Sequence, residues 1–332
     1  MKDLCIYTGK VRDIYEVGEN HLVMNATDRV SAFDKHIGII PGKGELLNKM
    51  SEYWFNQTRH IIDNHLVDSY KSAALVKKTT PYKIEFIIRA YITGNTRTSL
   101  WVNYKNGKRR YCDNVLPDGL TKNQKLPFPI ITPTTKGDVD IPITRDEIIK
   151  NDYMTADEYD YIASIAFKLF SFGQATAEKF GFILVDTKYE FGKTSDCKII
   201  LIDELHTCDS SRYWIKDTYE YKFNKGIEPD KFDKDCIRDW VKSSCKDPYK
   251  DIIPELPTEI ISWVYNNYNL FKRKSMAEEQ LKKEDQLFIH LVNTFVQSAW
   301  ISLGKVKNPV SDTMERNLDQ ATYYIDLLDM LQ

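Results

Sequence analysis

Gly181-Phe-Ile-Leu-Val-Asp-Thr-Lys-Tyr-Glu-Phe-Gly192, followed by Ile199-Ile-Leu-Ile-Asp-Glu204 and Asp209-Ser-Ser-Arg212, decides the reading of this chain. The first two stretches begin as apolar runs and end in charge. A strand that is buried along most of its length and ends in carboxylates delivers them to a cleft. Side chains alternate faces along a strand, so Asp186, Lys188 and Glu190 share one face. Asp203 can join them from the neighbouring strand. Carboxylate oxygens, a lysine and a nearby arginine, Arg212, are what a magnesium–nucleotide site needs. The competing reading is a structural ion-pair network. Against it, Asp186, Glu190, Asp203, Glu204 and Asp209 concentrate more negative charge than Lys188 and Arg212 neutralise, and a bound cation would make up the difference.

Upstream of this pair, residues 11–17 and 21–27 are β-prone runs joined by Gly18-Glu-Asn, a hairpin signal. Residues 45–57 space Leu46, Leu47, Met50, Tyr53 and Trp54 as on one helix face. Residues 83–92 form an Ile- and Phe-rich strand that breaks at Gly94. Residues 117–142 hold five prolines and little periodicity, and read as a long functional loop. Thr155-Ala-Asp-Glu158 is a capping box that opens a helix reaching about Phe180. Residues 233–244 and 258–272 read as further helices, and 272–285 as a solvated linker or exposed helix. The tail shows two more helical patterns, 288–303 and 314–331, broken at Asn308-Pro309.

At 332 residues and a net charge of −2, the chain is long enough for about two domains. It lacks the basic excess expected of a nucleic-acid binder. Its six cysteines show no C-x-x-C spacing, which argues against a zinc site or a disulfide framework and fits a reducing compartment. The N-terminus has no apolar signal segment, and the apolar stretch 288–303 is too short to span a bilayer. A cytoplasmic protein with small-molecule ligands, and neither nucleic acid nor membrane as partner, is expected.

Three further segments carry polar groups of interest. Gly9-Lys10-Val11-Arg12 sets a glycine before a strand, where backbone amides can approach a phosphate; the plain alternative is a surface turn with solvated cations. Asp28-Arg-Val-Ser31-Ala-Phe-Asp34 ends a strand in a polar loop, which either holds a substrate or satisfies its own backbone. Arg89 interrupts an apolar strand and must find an anion there, either a protein carboxylate such as Glu85 or a ligand phosphate or carboxylate.

Taken in order, Gly9-Lys-Val-Arg-Asp-Ile-Tyr15, Asp28 to Asp34, Pro41-Gly-Lys-Gly-Glu45, Asp118-Gly-Leu-Thr-Lys-Asn-Gln-Lys-Leu-Pro127, Thr132-Pro-Thr-Thr-Lys136, Val185 to Gly192 and Asp203 to Trp214 resemble the SAICAR synthetase family, over roughly residues 3 to 272. The resemblance implies an α+β fold: a two-lobed body with antiparallel sheets and a kinase-like nucleotide cleft. The lobes would be a β-rich nucleotide-binding part at 1–92 and a catalytic and substrate part at 93–275. A small all-helical appendage at 285–332 resembles a short bacterial family of unknown function, and its helices offer a surface for a second copy of the chain.

The reaction implied joins L-aspartate to a carboxyaminoimidazole ribonucleotide with cleavage of ATP, and Mg2+ as cofactor. By position, Gly9, Lys10, Val11, Arg12, Thr80, Glu85, Glu190 and Asp203 are ATP-binding, and Glu190 and Asp203 hold the metal. Lys188 and Asp186 are catalytic. Arg89, Asn95, Thr96, Asp28, Ser31, Asp34, Lys136, Asp209, Ser211 and Arg212 bind substrate. Where many relatives carry Gly-Ser after the Arg89 strand, Gly94-Asn95-Thr96 stands here, with Asn95 or Thr96 to supply the donor. Cys208 replaces a usual proline. A kinase-like phosphotransferase and a non-catalytic nucleotide-binding scaffold are the alternatives.

Overall fold

In the computed structural model residues 5–137 and 140–302 are described. Those up to Arg273 belong to one compact unit and those from Lys274 to a second. The first unit begins with β1 (Cys5–Thr8), β2 (Arg12–Val17) and β3 (His21–Ala26), and Gly18 takes the positive φ that its turn demands. A hairpin of β4 (Arg29–Ala32) and β5 (Lys35–Ile39) leads into α1 (Lys43–Gln57). β6 (Leu66–Tyr70) and β7 (Ala73–Lys77) complete an antiparallel sheet of order β1-β2-β3-β7-β6. The five apolar residues expected on the inner face of α1 are all buried.

β8 (Thr80–Ile92) then starts the second sheet. It is followed by α2 (Leu100–Lys105), β9 (Arg110–Tyr111), β10 (Asn114–Val115), β11 (Gln124–Ile131), β12 (Thr134–Thr135) and α3 (Arg145–Lys150). α4 (Ala156–Lys179) opens with the expected Thr155–Glu158 capping box. After it come β13 (Phe182–Lys193), β14 (Ile199–Ile202), β15 (Ser211–Ile215), α5 (Lys216–Asn224), α6 (Asp235–Ser244) and α7 (Thr258–Ser302). The second sheet runs β11-β8-β13-β14, with β12 also on β8 and β15 also on β13, all antiparallel. The fold is thus the expected α+β type with antiparallel sheets.

Residues 117–142 are not one long loop. They contain β11 and β12, which pair with β8. Pro127 and Pro129 have no N–H to give a ladder, and the register breaks between Lys125 and Ile130. The strand survives because it lies at the sheet edge, where proline is tolerated. Residues 272–285 are helical, within α7, as are the described residues from 288 onward. The expected helix at 314–331 and the break at Asn308-Pro309 lie outside the described residues. Among the described residues no helix is long and apolar enough to cross a membrane.

Register divides the second sheet into two chemically distinct faces. Opposite Asp186 stand Arg89 on one side and Arg212 on the other, and Glu190 faces Glu85. Residues directly opposite in a ladder point the same way, so one face gathers the charged groups. The other face sets Phe86 and Phe191 edge to face, their centroids 5.8 Å apart, and places Phe86 5.5 Å from Tyr159 of α4. Burial of that apolar face holds the strands in register, and a slip of one residue would exchange the two faces.

Candidate active site

At one end of the charged face, carboxylates crowd a single lysine. Lys188 Nζ lies 3.1 Å from Glu85 Oε1 and 3.3 Å from Asp203 Oδ2, and it also donates to Glu190. Lys136 donates to the other oxygen of Glu190. Asp203 follows the last residue of β14 with φ 66, a left-handed turn that swings its carboxylate toward Lys188. From the opposing sheet Arg12 bonds Asp203 at 3.0 Å and Glu204 at 2.7 Å. Of the expected acidic cluster, Glu190, Asp203 and Glu204 meet here together with Glu85, and protein cations contact each of them; Asp186 and Asp209 stand instead among the cations at the other end of the face.

Two neighbouring acids are driven apart in proton affinity. Burial, and then the charge of Asp203, pushes Glu190 up to about 7. Burial works against Asp203 as well, yet Arg12 and Lys188 hold it well below the usual carboxylate range. Lys188 stays firmly protonated, because Glu190, Asp203 and Glu85 outweigh its desolvation.

At the other end of the face a cavity of about 150 Å³ opens among Arg89, Arg212, Lys234 and Arg238, and Lys188 lines it too. Arg89 donates to Thr132 at 2.9 Å and to Asp186 at 3.3 Å. Arg212 donates to Asp186 at 2.6 Å and to Asp235 at 2.7 Å, and Asp235 also binds Arg238. Asp233 accepts from the backbone N–H of Tyr213 and of Asp235, each at 2.6 Å, and so fixes the start of α6 against β15. Burial lowers Lys234 to about 8 against the pull of Asp209. Thr96, Ser99, Ser210 and Ser211 add hydroxyls. Cations outnumber acids around this cavity, which suits an anion that accepts several hydrogen bonds.

Several expected site residues stand elsewhere. Asp28 accepts from the N–H groups of Gly42 and Gly44 at 3.0 and 2.9 Å and anchors the start of α1. Lys10 and Asp34 pair with each other at 2.5 Å in solvent. Ser31 is buried in β4. Asn95 donates its side-chain amide to Asp239 at 3.4 Å and its backbone carbonyl accepts from Lys242 at 2.7 Å, whereas Thr96 lines the cavity. Thr80 begins β8, opposite Lys193. Gly9 donates to Arg12 O at 2.7 Å, and Val11 O accepts the Thr27 hydroxyl at 2.9 Å. Ser211 shares a 2.7 Å bond with Thr187 at the cavity wall.

Sequence reasoning passed over other groups. Arg29 grips Asp13 with both nitrogens and donates to Gly9 O at 3.0 Å, which braces the glycine turn. Lys43 is 1 % exposed and bonds Asp209 at 2.8 Å. Lys234 and Arg238 line the cavity. Their i, i+4 spacing at the start of an expected helix was a legible signal of a shared face.

Comparison with known proteins gives the family. The family model described as SAICAR synthetase matches residues 5–256, and one described as a domain of unknown function (DUF1844) matches residues 285–332. The chain is 46 % identical over 316 residues to the chloroplastic phosphoribosylaminoimidazole-succinocarboxamide synthase of Arabidopsis thaliana, covering 94 % of this chain and 71 % of the relative. It is 46 % identical over 265 residues to the synthase of that name from Legionella pneumophila (strain Paris), covering 79 % and 84 %. The solved SAICAR-synthase of Saccharomyces cerevisiae, complexed with SAICAR, is 33 % identical with a TM-score of 0.68, covering 80 % of this chain and 91 % of that one. A SAICAR synthetase solved in complex with ADP is 25 % identical with a TM-score of 0.58, covering 75 % and 99 %. The chain belongs to the SAICAR synthetase family.

Proposed function

We propose that the two ends of the charged face divide the work of one reaction. The chain is an ATP-dependent carbon–nitrogen ligase of purine biosynthesis, joining L-aspartate to a carboxyaminoimidazole ribonucleotide as ATP is cleaved. The observation that carries the division is the place of Lys188. It contacts the acidic cluster and also lines the cationic cavity. ATP lies over the turn from Gly9 to Arg12, with its adenine flanked by the segment from Thr80 to Glu85. The cavity holds the ribonucleotide, whose anionic groups meet Arg89, Arg212 and Lys234. On this reading the nucleotide sits mainly on residues 1–92 and the chemistry on 93–275.

Glu190 and Asp203 fit a magnesium ion. They offer hard oxygen donors, and the four carboxylates of Glu85, Glu190, Asp203 and Glu204 share the three cations Lys136, Lys188 and Arg12. Magnesium takes one or two carboxylates together with substrate phosphates, so no larger protein cage is needed. When bound, the ion neutralises charge on the triphosphate.

A carboxylate is a poor electrophile. The imidazole carboxylate oxygen attacks the terminal phosphorus, the bond to ADP breaks, and an acyl phosphate forms. The aspartate amine then attacks the acyl carbon, phosphate leaves with the bond electrons, and the amine loses a proton to give the amide. The protein aligns the reactants and neutralises charge as it builds. Lys188 is placed to stabilise the transferred phosphoryl group. Asp186, held between Arg89 and Arg212, keeps both guanidinium groups aimed at the cavity.

Ribonucleotide labelled with oxygen-18 in its carboxylate tests this route. Label should appear in the released phosphate, and ADP release should require L-aspartate. Unlabelled phosphate would overturn the acyl phosphate, and rapid aspartate-independent ADP release would favour a kinase-like enzyme. All six cysteines are free, which supports a cytoplasmic location. Residues 285–332 are the segment we assign to self-association, and light scattering of the full chain against one ending at residue 275 tests it.

A further inference from the structure

α7 begins beyond residues 5–256, the extent of the family match. Its first turns bury Val264, Tyr268 and Phe271 completely. Phe271 does ordinary packing: its ring lies 5.9 Å from that of Trp54 and 5.7 Å from that of Phe180. Tyr268 does more than fill space. Its hydroxyl donates to Asp209 Oδ1 at 2.7 Å and lies 3.3 Å from the carbonyl of Cys208. The other oxygen of Asp209 faces Lys43 at 2.8 Å and Lys234 at 3.6 Å. Asp209 and Lys234 both line the cationic cavity. One turn earlier on α7, Tyr265 sits so close to Gly42 that a Cβ there would come within 3.0 Å of its ring. Gly42 immediately precedes Lys43, so α7 approaches the Lys43–Asp209 pair from both of its partners.

We infer that α7 is part of the substrate site, with Tyr268 as a positioning residue that acts through Asp209 to fix Lys234 against the cavity. The inference rests on the placement of the ribonucleotide given above. Asp209 presents one oxygen to the lysines because the other is taken by a neutral donor. Without the hydroxyl, a buried carboxylate oxygen would lose its partner, which is costly. The carboxylate would then turn to share both oxygens with Lys43 and Lys234, drawing the Lys234 ammonium away from the substrate.

In the full chain, Tyr268→Phe keeps the ring and removes only the donor. KM for the ribonucleotide should rise about tenfold while KM for ATP stays unchanged, the size of one charge-assisted hydrogen bond. Phe271→Leu, which thins the same helix and leaves the hydroxyl, should lower Tm without changing the ratio of the two KM values. A Tyr268→Phe enzyme that behaves like Phe271→Leu would overturn the inference. Arg212→Ala, measured alongside, separates the two claims. If it leaves KM for the ribonucleotide unchanged, the placement of that substrate fails. If it raises this KM and Tyr268→Phe does not, only the coupling fails. Lys234→Gln gives a second route: combined with Tyr268→Phe it should be no worse than alone, and additive effects would show that Tyr268 does not act through Lys234.

Discussion

The acidic end and the cationic end of the charged face share one sheet and one lysine, yet they are built differently. At the cationic end each arginine is tied to carboxylates that are themselves tied: Asp186 joins Arg89 to Arg212, and Asp235 joins Arg212 to Arg238. At the acidic end several carboxylates share Lys188, and burial beside Asp203 raises the proton affinity of Glu190. The first arrangement suits the preformed anion receptor proposed above. The second sets four carboxylates against three cations, which suits the proposed magnesium–nucleotide. A ligase that brings a triphosphate to a carboxylate needs both.

Breaking the acidic end should cost most. Asp203→Asn removes one proposed oxygen ligand and a partner of Arg12 and Lys188, and should lower kcat by about a thousandfold, the loss typical of transition-state charge stabilisation. Steady-state kinetics should show KM for the ribonucleotide nearly unmoved; full activity would remove Asp203 from the metal site. Breaking the cationic end with Arg212→Ala should raise KM for the ribonucleotide roughly thirtyfold, from loss of a charge-assisted hydrogen bond. An effect confined to ATP would reverse the assignment of the two ends.

Acidity sharpens the comparison further. The proposed magnesium–nucleotide site needs Glu190 ionised, and burial pushes its carboxyl up to about 7. Affinity measured by calorimetry should therefore strengthen about tenfold from pH 6 to pH 8. Glu190→Gln should abolish that dependence, whereas the cationic end offers no such step for ATP. The smallest effect lies in the core beneath the site. Burial lowers His206 to about 3, and its Nε2 lies 2.6 Å from the hydroxyl of Tyr189. The imidazole is neutral in the fold, while the unfolded chain takes up a proton below about 6.5. Its contribution is thus fully present above that pH and is lost as pH falls. Denaturant titration should show about 1 kcal/mol less stability at pH 5.5 than at 7.5 from this group. A His206→Gln chain should show a shallower slope.

Much of this was legible in the residues. The apolar runs ending in Asp186, Lys188, Glu190 and Asp203 gave both strands and the charged face, because strand periodicity alone assigns faces. The proline-rich span 117–142 misled, because β11 depends on β8 to supply a ladder that its own prolines cannot complete. Asn95 and Thr96 were indistinguishable as donors until the turn at Gly94 sent one toward α6 and the other into the cavity. That Asp28 accepts from the amides of Gly42 and Gly44 was not legible, because the β4–β5 hairpin has to fold between them first.

Sequence alone determined the α+β class, the family and the charged face, since these follow from local periodicity and from motifs in fixed order. Only the tertiary structure decided which cations meet which acids. Arg12 reaches Asp203, Lys43 reaches Asp209 and Tyr268 closes on Asp209, each across a long stretch of chain. Charge pairing depends on distance in space, and two groups of opposite sign carry no mark in the sequence of whether the fold will bring them within 3 Å or leave water between them.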